Sequence, residues 1–310
     1  MTVLEGLGVA ISISDAPDRL KLGFPDREIE RTLYSICMAV VRAGGRIFYA
    51  GNLSPTGYTF KIFRHLAGAY AARGETPFTH VVPQPVLMRS KFDEWDASLK
   101  EARNAAKTLL VIGDDLVPFR RSSDGLLIGA AGGRPSLLLK ENTAFHVWQS
   151  ALPPRDDGVA YSTARKLVTA LTDARIAMGG KMGLLDNPDD YYQGTMPGIV
   201  EEAIMSLEAK KPFVPLGAFG GATRDAAIAL GLLPNGPTVP RGPQLLSYDP
   251  AVARLAGLRG NLPPAFLNRL AALGDEDRSE YLAAAIVDIL AGWLSNPPAP
   301  SGCEVPAGAS

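Results

Sequence analysis

The stretch from Thr172 to Ala203 constrains the fold of this chain most, because an apolar run stops there at two glycines and a helix with two glutamates follows. Residues 174–178 are typical of a buried strand in a parallel sheet. Gly179 and Gly180 let the backbone leave that strand with no Cβ in the way, so a ligand can approach closely. This layout is typical of a site for phosphates and sugars.

Two acidic residues lie near the start of the following helix. That start is predicted from the sequence of Thr195, Pro197 and Gly198. Glu201 and Glu202 then fall in the first turns, where unpaired N–H groups attract anions. Two interpretations are open: a phosphate binds this turn while one carboxylate faces a sugar, or both glutamates only complement the helix dipole.

Composition excludes several classes of protein. The 310 residues carry 31 basic and 32 acidic side chains, so we expect no binding of nucleic acid. The two cysteines, Cys37 and Cys303, are too differently placed for a disulfide framework or a metal site, which favours a reducing cytoplasm. We expect neither secretion nor a membrane span, because no export signal and no apolar run of about 18 residues is present.

Strands and helices alternate along most of the chain. The first part predicts strands at residues 9–14, 46–49, 79–86 and 108–112, and helices at 26–41, 62–70 and 92–105. Residues 116–158 are rich in turn sequences and are interpreted as an irregular insertion or lid. A helix capped by Ser162 or Thr163 and strands at 174–178 and 212–216 follow. This order predicts an α/β fold with a doubly wound, mostly parallel sheet.

Glycine-bearing turns follow three of the predicted strands. One contains Gly51, one contains Gly179 and Gly180, and one contains Gly217, Gly220 and Gly221. In a doubly wound sheet these turns share one edge, where ligands bind. We divide the chain into an α/β domain at residues 1–240, a C-terminal helical extension packed on it at 241–295, and a disordered tail at 296–310.

Four elements resemble the signatures of one enzyme family in the same order. Tyr49-Ala50-Gly51-Asn52, followed by Gly57-Tyr58-Thr59, resembles a YGGGxxGLMG loop, and Ala164-Arg165-Lys166 resembles an ERK element. Asp173 to Gly180 with Gly198 to Glu202 resembles a strand followed by PGGxGTxxE. These signatures are those of the Lonely-guy phosphoribohydrolases in the SLOG superfamily. The chain departs from them at residues 181–197, which separate the glycine pair from Gly198.

A second set of elements resembles another SLOG group more closely. Ile11 to Ser14 (ISIS), Pro197 to Ala203 (PGIVEEA) and Gly217 to Gly221 (GAFGG) resemble the SLOG domains of melastatin-type TRP channels and of bacterial nucleotide-signalling and immune systems. The resemblance implies a Rossmann-like fold. It also implies a nucleotide-derived ligand, such as ADP-ribose, NAD or a nucleoside phosphate, or cleavage of the N-glycosidic bond of a nucleotide.

The matches predict the site residues. Glu202 aligns with the last position of the signature and is the predicted catalytic carboxylate, with Glu201 as the alternative. Arg165 matches the family's catalytic arginine and would hold a phosphate or leaving group, unless it is a solvated helix residue. Tyr191 and Tyr192 could stack on a base or lie in a surface loop. The predicted ligand-binding residues are Ser12, Ser14, Asp15, Gly51, Asn52, Gly57, Tyr58, Thr59, Gly179, Gly180, Lys181, Thr195, Pro197, Gly198, Gly217, Phe219, Gly220 and Gly221.

Two functions remain open from the sequence. The first is an enzyme that acts on the N-glycosidic bond of a nucleotide-derived small molecule, with Glu202 and Arg165. The second is a non-catalytic sensor that binds such a molecule and regulates an effector protein or its own homo-oligomer, as in bacterial defence systems. The interruption at residues 181–197 favours the sensor, because it would reshape a hydrolytic pocket. No metal and no cofactor is expected, because the histidines are few and scattered.

Overall fold

One mixed sheet forms the centre of the protein. The computed structural model describes residues 2–52, 54, 57–70, 76–102, 105–130, 133, 135–234 and 242–295. The strands in these ranges are β1 (Gly8–Ser14), β2 (Arg46–Ala50), β3 (Phe78–Val82), β4 (Ala106–Ile112), β5 (Asp115–Ser122), β6 (Gly125–Ile128), β7 (Leu137–Leu139), β8 (Ala174–Gly179) and β9 (Phe213–Leu216).

Helices cover both faces of this sheet and extend beyond it. They are α1 (Asp26–Arg42), α2 (Tyr58–Tyr70), α3 (Gln84–Met88), α4 (Phe92–Ala102), α5 (Asn142–Ser150), α6 (Asp157–Leu171), α7 (Gly198–Glu208), α8 (Gly221–Ala229), α9 (Tyr248–Ala256), α10 (Leu267–Gly274) and α11 (Ser279–Ser295). Within the described ranges, every helix is too short or too polar to cross a lipid bilayer.

The strand order is that of a doubly wound sheet. The strands lie in the order β7-β6-β5-β4-β3-β2-β1-β8-β9. The neighbours from β4 through β1 to β9 pair in parallel, whereas β5, β6 and β7 pair antiparallel. The chain therefore winds outward from β1 in one direction and returns to β8 on its other side. This confirms the predicted α/β, Rossmann-like, mostly parallel sheet with C-terminal helices.

The sequence of β1 explains its central position. Val9, Ile11 and Ile13 belong to the apolar core that includes α1, whereas Ala10 packs with α6 on the opposite face. A strand covered on both faces must be apolar at nearly every position, as GVAISIS is. The polar exceptions are Ser12 and Ser14, which lie near its carboxyl end, where β1 borders the site described below.

The C-terminal helices pack on the sheet domain. α11 lies along α1, and the predicted docking residues of α11 are buried: Ile286, Ile289, Leu290 and Trp293. Apolar spacing therefore identified the face of α11 that docks. The predicted domain boundary at residue 240, the tail at 296–310 and Cys303 lie outside the described residues.

Residues 116–158 differ from the expected irregular insertion. They contain β6, β7, α5 and most of β5, which extend the sheet by antiparallel pairing. In β5 the buried side chains Val117 and Phe119 alternate with exposed ones, as a strand requires. Ser123 and Asp124 form the tight turn between β5 and β6, and Gly125, interpreted with Asp124 as loop punctuation, is the first residue of β6. β6 and β7 have only four and three residues, and β5, although eight residues long, contains Pro118, so turn-forming residues dominated the pattern.

Two element boundaries also differ from prediction. Strand β3 ends at Val82, because Pro83 and Pro85 begin the short helix α3 where the strand was expected to continue to residue 86. Helix α6 begins at Asp157 rather than at residue 162, and the Asp156 side chain caps it by accepting from the Val159 N–H at 3.0 Å. Ser162 therefore lies inside the helix.

The side chain of Asp18 caps the N-terminus of α8. Asp18, in the loop after β1, accepts a hydrogen bond of 2.7 Å from the backbone N–H of Gly221. Asp18 is only 3% exposed, so its charge interacts strongly with the positive end of the helix dipole. The N-terminus of α8 is thus capped from within.

Replacing Asp18 should destabilise the fold. Asp18→Ala removes the acceptor at the start of α8 and should lower the free energy of unfolding by about 1–2 kcal/mol, measured by urea denaturation. Asp124→Ala, in the exposed β5–β6 turn, serves as the control and should change it by less than about 0.5 kcal/mol. Equal effects of the two substitutions would contradict the capping role.

Candidate functional site

A cavity of about 260 Å³ lies at the carboxyl ends of β1, β2, β3 and β8. Doubly wound sheets bind ligands at this position, where the chain leaves two neighbouring strands in opposite directions. The predicted site residues that line it are Ser12, Ser14, Gly51, Asn52, Arg165, Lys181, Gly198 and Glu202. The other lining residues are Ile11, Ile13, Tyr49, Ala50, Pro83, Val86, Tyr161, Tyr192, Gln193 and Ile199.

Glu202 faces this cavity and forms an ion pair beneath it. Nη1 of Arg175, a residue of β8, lies 3.3 Å from Oε2 of Glu202, and the two side chains are 2% and 12% exposed. Burial lowers the pKa of the Arg175 guanidinium, and the negative charge of Glu202 opposes that effect. The Glu202 carboxyl group therefore lies between the buried arginine and the cavity.

Glu201 has a different environment, although it is the adjacent residue. Its carboxylate accepts hydrogen bonds from Arg165 Nη1 and from the Ser162 hydroxyl, both on α6, and it is not part of the cavity lining. Arg165 also donates to the Gln193 carbonyl oxygen at 2.8 Å. Its guanidinium carbon lies 5.8 Å from the centre of the Tyr161 ring. Glu201 thus orients Arg165, and Arg165 presents its guanidinium at the cavity.

The first turn of α7 borders the cavity with its amides uncapped by a side chain. Pro197 occupies the N-cap position and makes no side-chain hydrogen bond to the turn, and Thr195 is exposed. A Cβ at Gly198 would lie only 2.7 Å from Arg165 Nη2, so this glycine lets the guanidinium rest against the helix start. A helix N-terminus beside a guanidinium is a favourable environment for an anion.

The glycine turns after β8 and β9 pack against each other beneath the cavity. The Ala222 N–H donates to the Gly180 carbonyl oxygen at 3.1 Å, and a Cβ on Gly221 would collide with that same oxygen. Gly179 and Gly180 have φ values of +67° and +109°, which only glycine adopts readily. Predicted ligand-binding residues that are buried here and are not part of the cavity lining are Gly179, Gly180, Gly217, Phe219, Gly220 and Gly221.

The loop after β2 is held to its neighbours by hydrogen bonds. The Thr59 hydroxyl donates to the Asn52 carbonyl oxygen at 2.9 Å, which closes the loop near Gly57. Gly51 lines the cavity, and its carbonyl oxygen lies 3.0 Å from Nε2 of the buried His80. Burial lowers the pKa of His80 to about 4, so the ring is neutral and donates to Gly51. His80 therefore supports one wall of the cavity.

Lys181 lines both this cavity and a second one of about 240 Å³. The second cavity is also lined by Asp15, which accepts a hydrogen bond of 3.2 Å from the Tyr58 hydroxyl. Lys181 Nζ donates to the carbonyl oxygens of Asp189 at 2.7 Å and Tyr191 at 3.3 Å. Lys181 thus places a positive charge between the two cavities, and Asp15 and Tyr58 meet beside the second.

Residues 181–197 form an ordered wall. Asp190 is buried and accepts from the backbone N–H groups of Met182 and Leu184 at 3.2 and 3.0 Å. Burial raises the pKa of the Asp190 carboxyl, and these backbone hydrogen bonds oppose the effect. The Tyr192 hydroxyl lies 2.5 Å from the Ser247 Oγ, which ties the segment to the chain before α9. Residues 181–197, which interrupt the family signature, are therefore held in place by hydrogen bonds within the segment and to Ser247.

Arg175 is a buried arginine beside the cavity that motif matching did not single out as a site residue. It donates through Nη1 to Ser12 Oγ at 2.7 Å, through Nη2 to Thr169 Oγ1 at 2.9 Å and through Nε to Ser206 Oγ at 3.0 Å. One signal was present in the sequence: an arginine within the otherwise apolar run 174–178. A fully buried charge needs partners, and these tend to lie at functional or structural centres.

The neutral state of His80 predicts how stability depends on pH. Its pKa is about 4 in the folded protein against an ordinary 6.5, so the unfolded chain binds the proton more readily. Stability is therefore lost as the pH falls from 6.5 towards 4. Between pH 7 and pH 5 this should cost about 2 kcal/mol of unfolding free energy.

Urea denaturation at both pH values measures this contribution. Between pH 7 and pH 5, His80→Asn should lose about 2 kcal/mol less unfolding free energy than the unmodified protein does. His146→Asn, at an exposed position, should lose as much as the unmodified protein. The same pH dependence in all three proteins would contradict a neutral, buried His80.

Comparison with known proteins agrees with the geometry. The sequence profile of the family described as SLOG cluster2 matches residues 3–239, which include every strand of the described sheet and all of the cavity lining. No curated protein is similar enough to this chain to count as a match. The chain therefore belongs to the SLOG superfamily, in the family described as SLOG cluster2.

Proposed function

We propose that the cavity binds a nucleotide-derived small molecule, with its sugar against Glu202 and a phosphate against the first turn of α7. The SLOG family has a nucleotide-related function. The observation that carries the proposal is the placement of the Glu202 carboxylate, which lines the cavity beside an uncapped helix start. A carboxylate accepts hydrogen bonds from sugar hydroxyls, and helix N–H groups bind phosphate oxygens.

Arg165 supports phosphate binding at the same turn. Its guanidinium lines the cavity while Glu201 and the Gln193 carbonyl oxygen hold it in one orientation. An arginine fixed in this way loses little conformational freedom when it binds a phosphate, and it can offer planar, paired donors. The phosphate would therefore contact both the helix start and a preorganised cation.

The dimensions of the site favour ligands from a nucleoside phosphate to ADP-ribose or NAD. The main cavity, about 260 Å³, lies just below the range of about 300–1,000 Å³ typical of small-molecule sites. The second cavity, which shares Lys181 with the first, offers further room for a longer ligand. It is also lined by Arg19, Asp15, Asp189 and Asp190. Tyr161 and Tyr192 supply aromatic surface for a base.

The chemistry that this geometry favours is hydrolysis of the N-glycosidic bond. The bond between C1′ of the sugar and the base breaks, the base leaves with the electron pair and takes up a proton, and water adds its oxygen to C1′. The transition state resembles an oxocarbenium ion, which a carboxylate anion close to C1′ stabilises. Glu202 would supply that anion.

A second candidate function, sensing without cleavage, is favoured by the surroundings of the two glutamates. Glycosidic hydrolysis commonly uses one carboxylate as an acid and another as a base or nucleophile. Here Glu201 is engaged by Arg165 and Ser162, and Glu202 by Arg175, so each carboxylate already has a partner within the protein. In this function, ligand binding would act on an effector protein or on a homo-oligomer of the chain.

One experiment separates the two functions. The purified protein is incubated with NAD, ADP-ribose and nucleoside monophosphates, and both the thermal shift and the released base are followed. A shift with released base supports hydrolysis, whereas a shift without released base for any of the compounds would rule hydrolysis out for them and leave sensing. No shift with any compound would contradict the proposed nucleotide cleft.

Glu202→Gln tests the proposed role of the carboxylate in hydrolysis. The substitution keeps the shape of the side chain but removes its charge, so kcat should fall by about 100-fold or more. The dissociation constant should change only a few-fold, because the amide oxygen still accepts hydrogen bonds. The matched control is Glu208→Gln, on the same helix, where Glu208 pairs with Arg254 away from the cavity. Retained turnover in Glu202→Gln would exclude this carboxylate as the catalytic group.

A further inference from the structure

Arg175 connects two groups that face the cavity. Its Nη1 atom donates to Ser12 Oγ at 2.7 Å and lies 3.3 Å from Glu202 Oε2. Its other nitrogens donate to Thr169 and Ser206, so the guanidinium cannot turn away. Arg175 is 1% exposed and lies beneath the cavity floor rather than in its lining. It is therefore placed to position other residues, not to touch a ligand.

The bond from Arg175 determines what Ser12 can offer a ligand. Because the guanidinium is only a donor, the Ser12 oxygen must accept from it. Among the described residues, no group accepts a hydrogen bond from the Ser12 hydroxyl. Ser12 is 3% exposed and lines the cavity, so its hydroxyl hydrogen is available to an acceptor there.

Glu202 offers the opposite polarity. Its Oε2 atom is engaged by Arg175, whereas no described residue donates a hydrogen bond to its Oε1 atom. The carboxylate therefore keeps acceptor capacity towards the cavity that it lines. A fixed donor and a fixed acceptor are thus held on one floor by a single guanidinium.

We propose that Arg175 is a positioning residue that makes the site selective for sugars with a hydroxyl group against this floor, and hence for ribonucleotides over their deoxy forms. The inference rests on the proposed nucleotide binding. A ribose hydroxyl can donate to Glu202 and accept from Ser12, because a hydroxyl is both donor and acceptor. Hydrogen at that carbon can do neither.

Other polar groups near the floor are already engaged. The Tyr49 hydroxyl donates to the Ile13 carbonyl oxygen at 3.2 Å, and Arg165 is held by Glu201 and the Gln193 carbonyl oxygen. A deoxy sugar would therefore leave Ser12 and Glu202 without their partner at the cavity floor. Loss of a hydrogen bond to a charged group should weaken binding by about 10- to 100-fold.

The test compares a ribonucleotide with its deoxy forms. AMP, ADP-ribose and NAD are titrated calorimetrically, with base release followed in the same samples. The tightest binder is then compared with analogues that lack one ribose hydroxyl at a time. At least one analogue should bind about 10- to 100-fold more weakly to the unmodified protein.

Two variants identify the cause of this discrimination. Ser12→Ala leaves the guanidinium and Glu202 in place but removes the donor to the sugar hydroxyl. It should lower the ratio of the deoxy and ribonucleotide dissociation constants by about 2- to 10-fold, the contribution of a neutral hydrogen bond, with the ribonucleotide itself bound more weakly. Arg175→Lys cannot engage Ser12 and Glu202 in the same geometry. It should therefore also lower the ratio of the dissociation constants of the deoxy analogue and the ribonucleotide. Ser279→Ala removes a buried hydroxyl paired with Thr32, far from the cavity, and should leave the ratio unchanged.

Each outcome bears on the inference. Equal binding of the ribonucleotide and all its deoxy analogues would overturn it while leaving nucleotide binding intact. Discrimination that Ser12→Ala does not alter would overturn the role of the Arg175 floor, whether or not Arg175→Lys folds. Absence of binding by AMP, ADP-ribose and NAD alike would overturn the proposed function, and this inference with it.

Discussion

The buried Arg175 guanidinium is the contact on which the rest of the site depends. It links β1 through Ser12, α6 through Thr169 and α7 through Ser206 and Glu202. Removing one partner of a buried ion pair leaves an uncompensated charge, which typically costs about 3–5 kcal/mol. The sheet and two helices are therefore held together by the same interaction that directs the Glu202 carboxylate at the cavity.

The N-termini of α7 and α8, which both lie at the carboxyl edge of the sheet, have different surroundings. At α8 the positive end of the helix is capped by the carboxylate of Asp18, and the glycines before it pack against the turn after β8. At α7 the first turn has no side-chain cap, borders the cavity and lies against Arg165. One helix N-terminus is thus capped by a side chain of the protein, whereas the other borders the cavity.

The sequence predicted the parallel strands and the edge that carries the site, because buried strands ending at glycine leave a strong local pattern. It did not predict β5, β6 and β7, because β6 and β7 are only four and three residues long and β5 contains a proline, Pro118. It also could not decide between Glu201 and Glu202. Neighbouring residues of a helix point about 100° apart. The surroundings of Glu201 and Glu202 therefore depend on where α6 and β8 pack against α7, and local sequence does not give that packing.

The same limit explains why Arg175 was missed. Its partners lie on β1, α6 and α7, and the pairing with Ser12 spans 163 positions of the chain. Several glycines that were predicted as ligand contacts are buried and do not line the cavity. In the structure several of them allow close approach of two backbones, which requires the same absence of Cβ as a close approach of a ligand does.

The most direct test of the nucleotide cleft is a crystal structure of the protein with the tightest-binding of AMP, ADP-ribose and NAD. We predict a sugar hydroxyl within hydrogen-bonding distance, about 3 Å, of both Glu202 and Ser12. The phosphate should lie at the first turn of α7 beside Arg165. A ligand bound elsewhere, with the Arg175 floor unoccupied, would contradict the account.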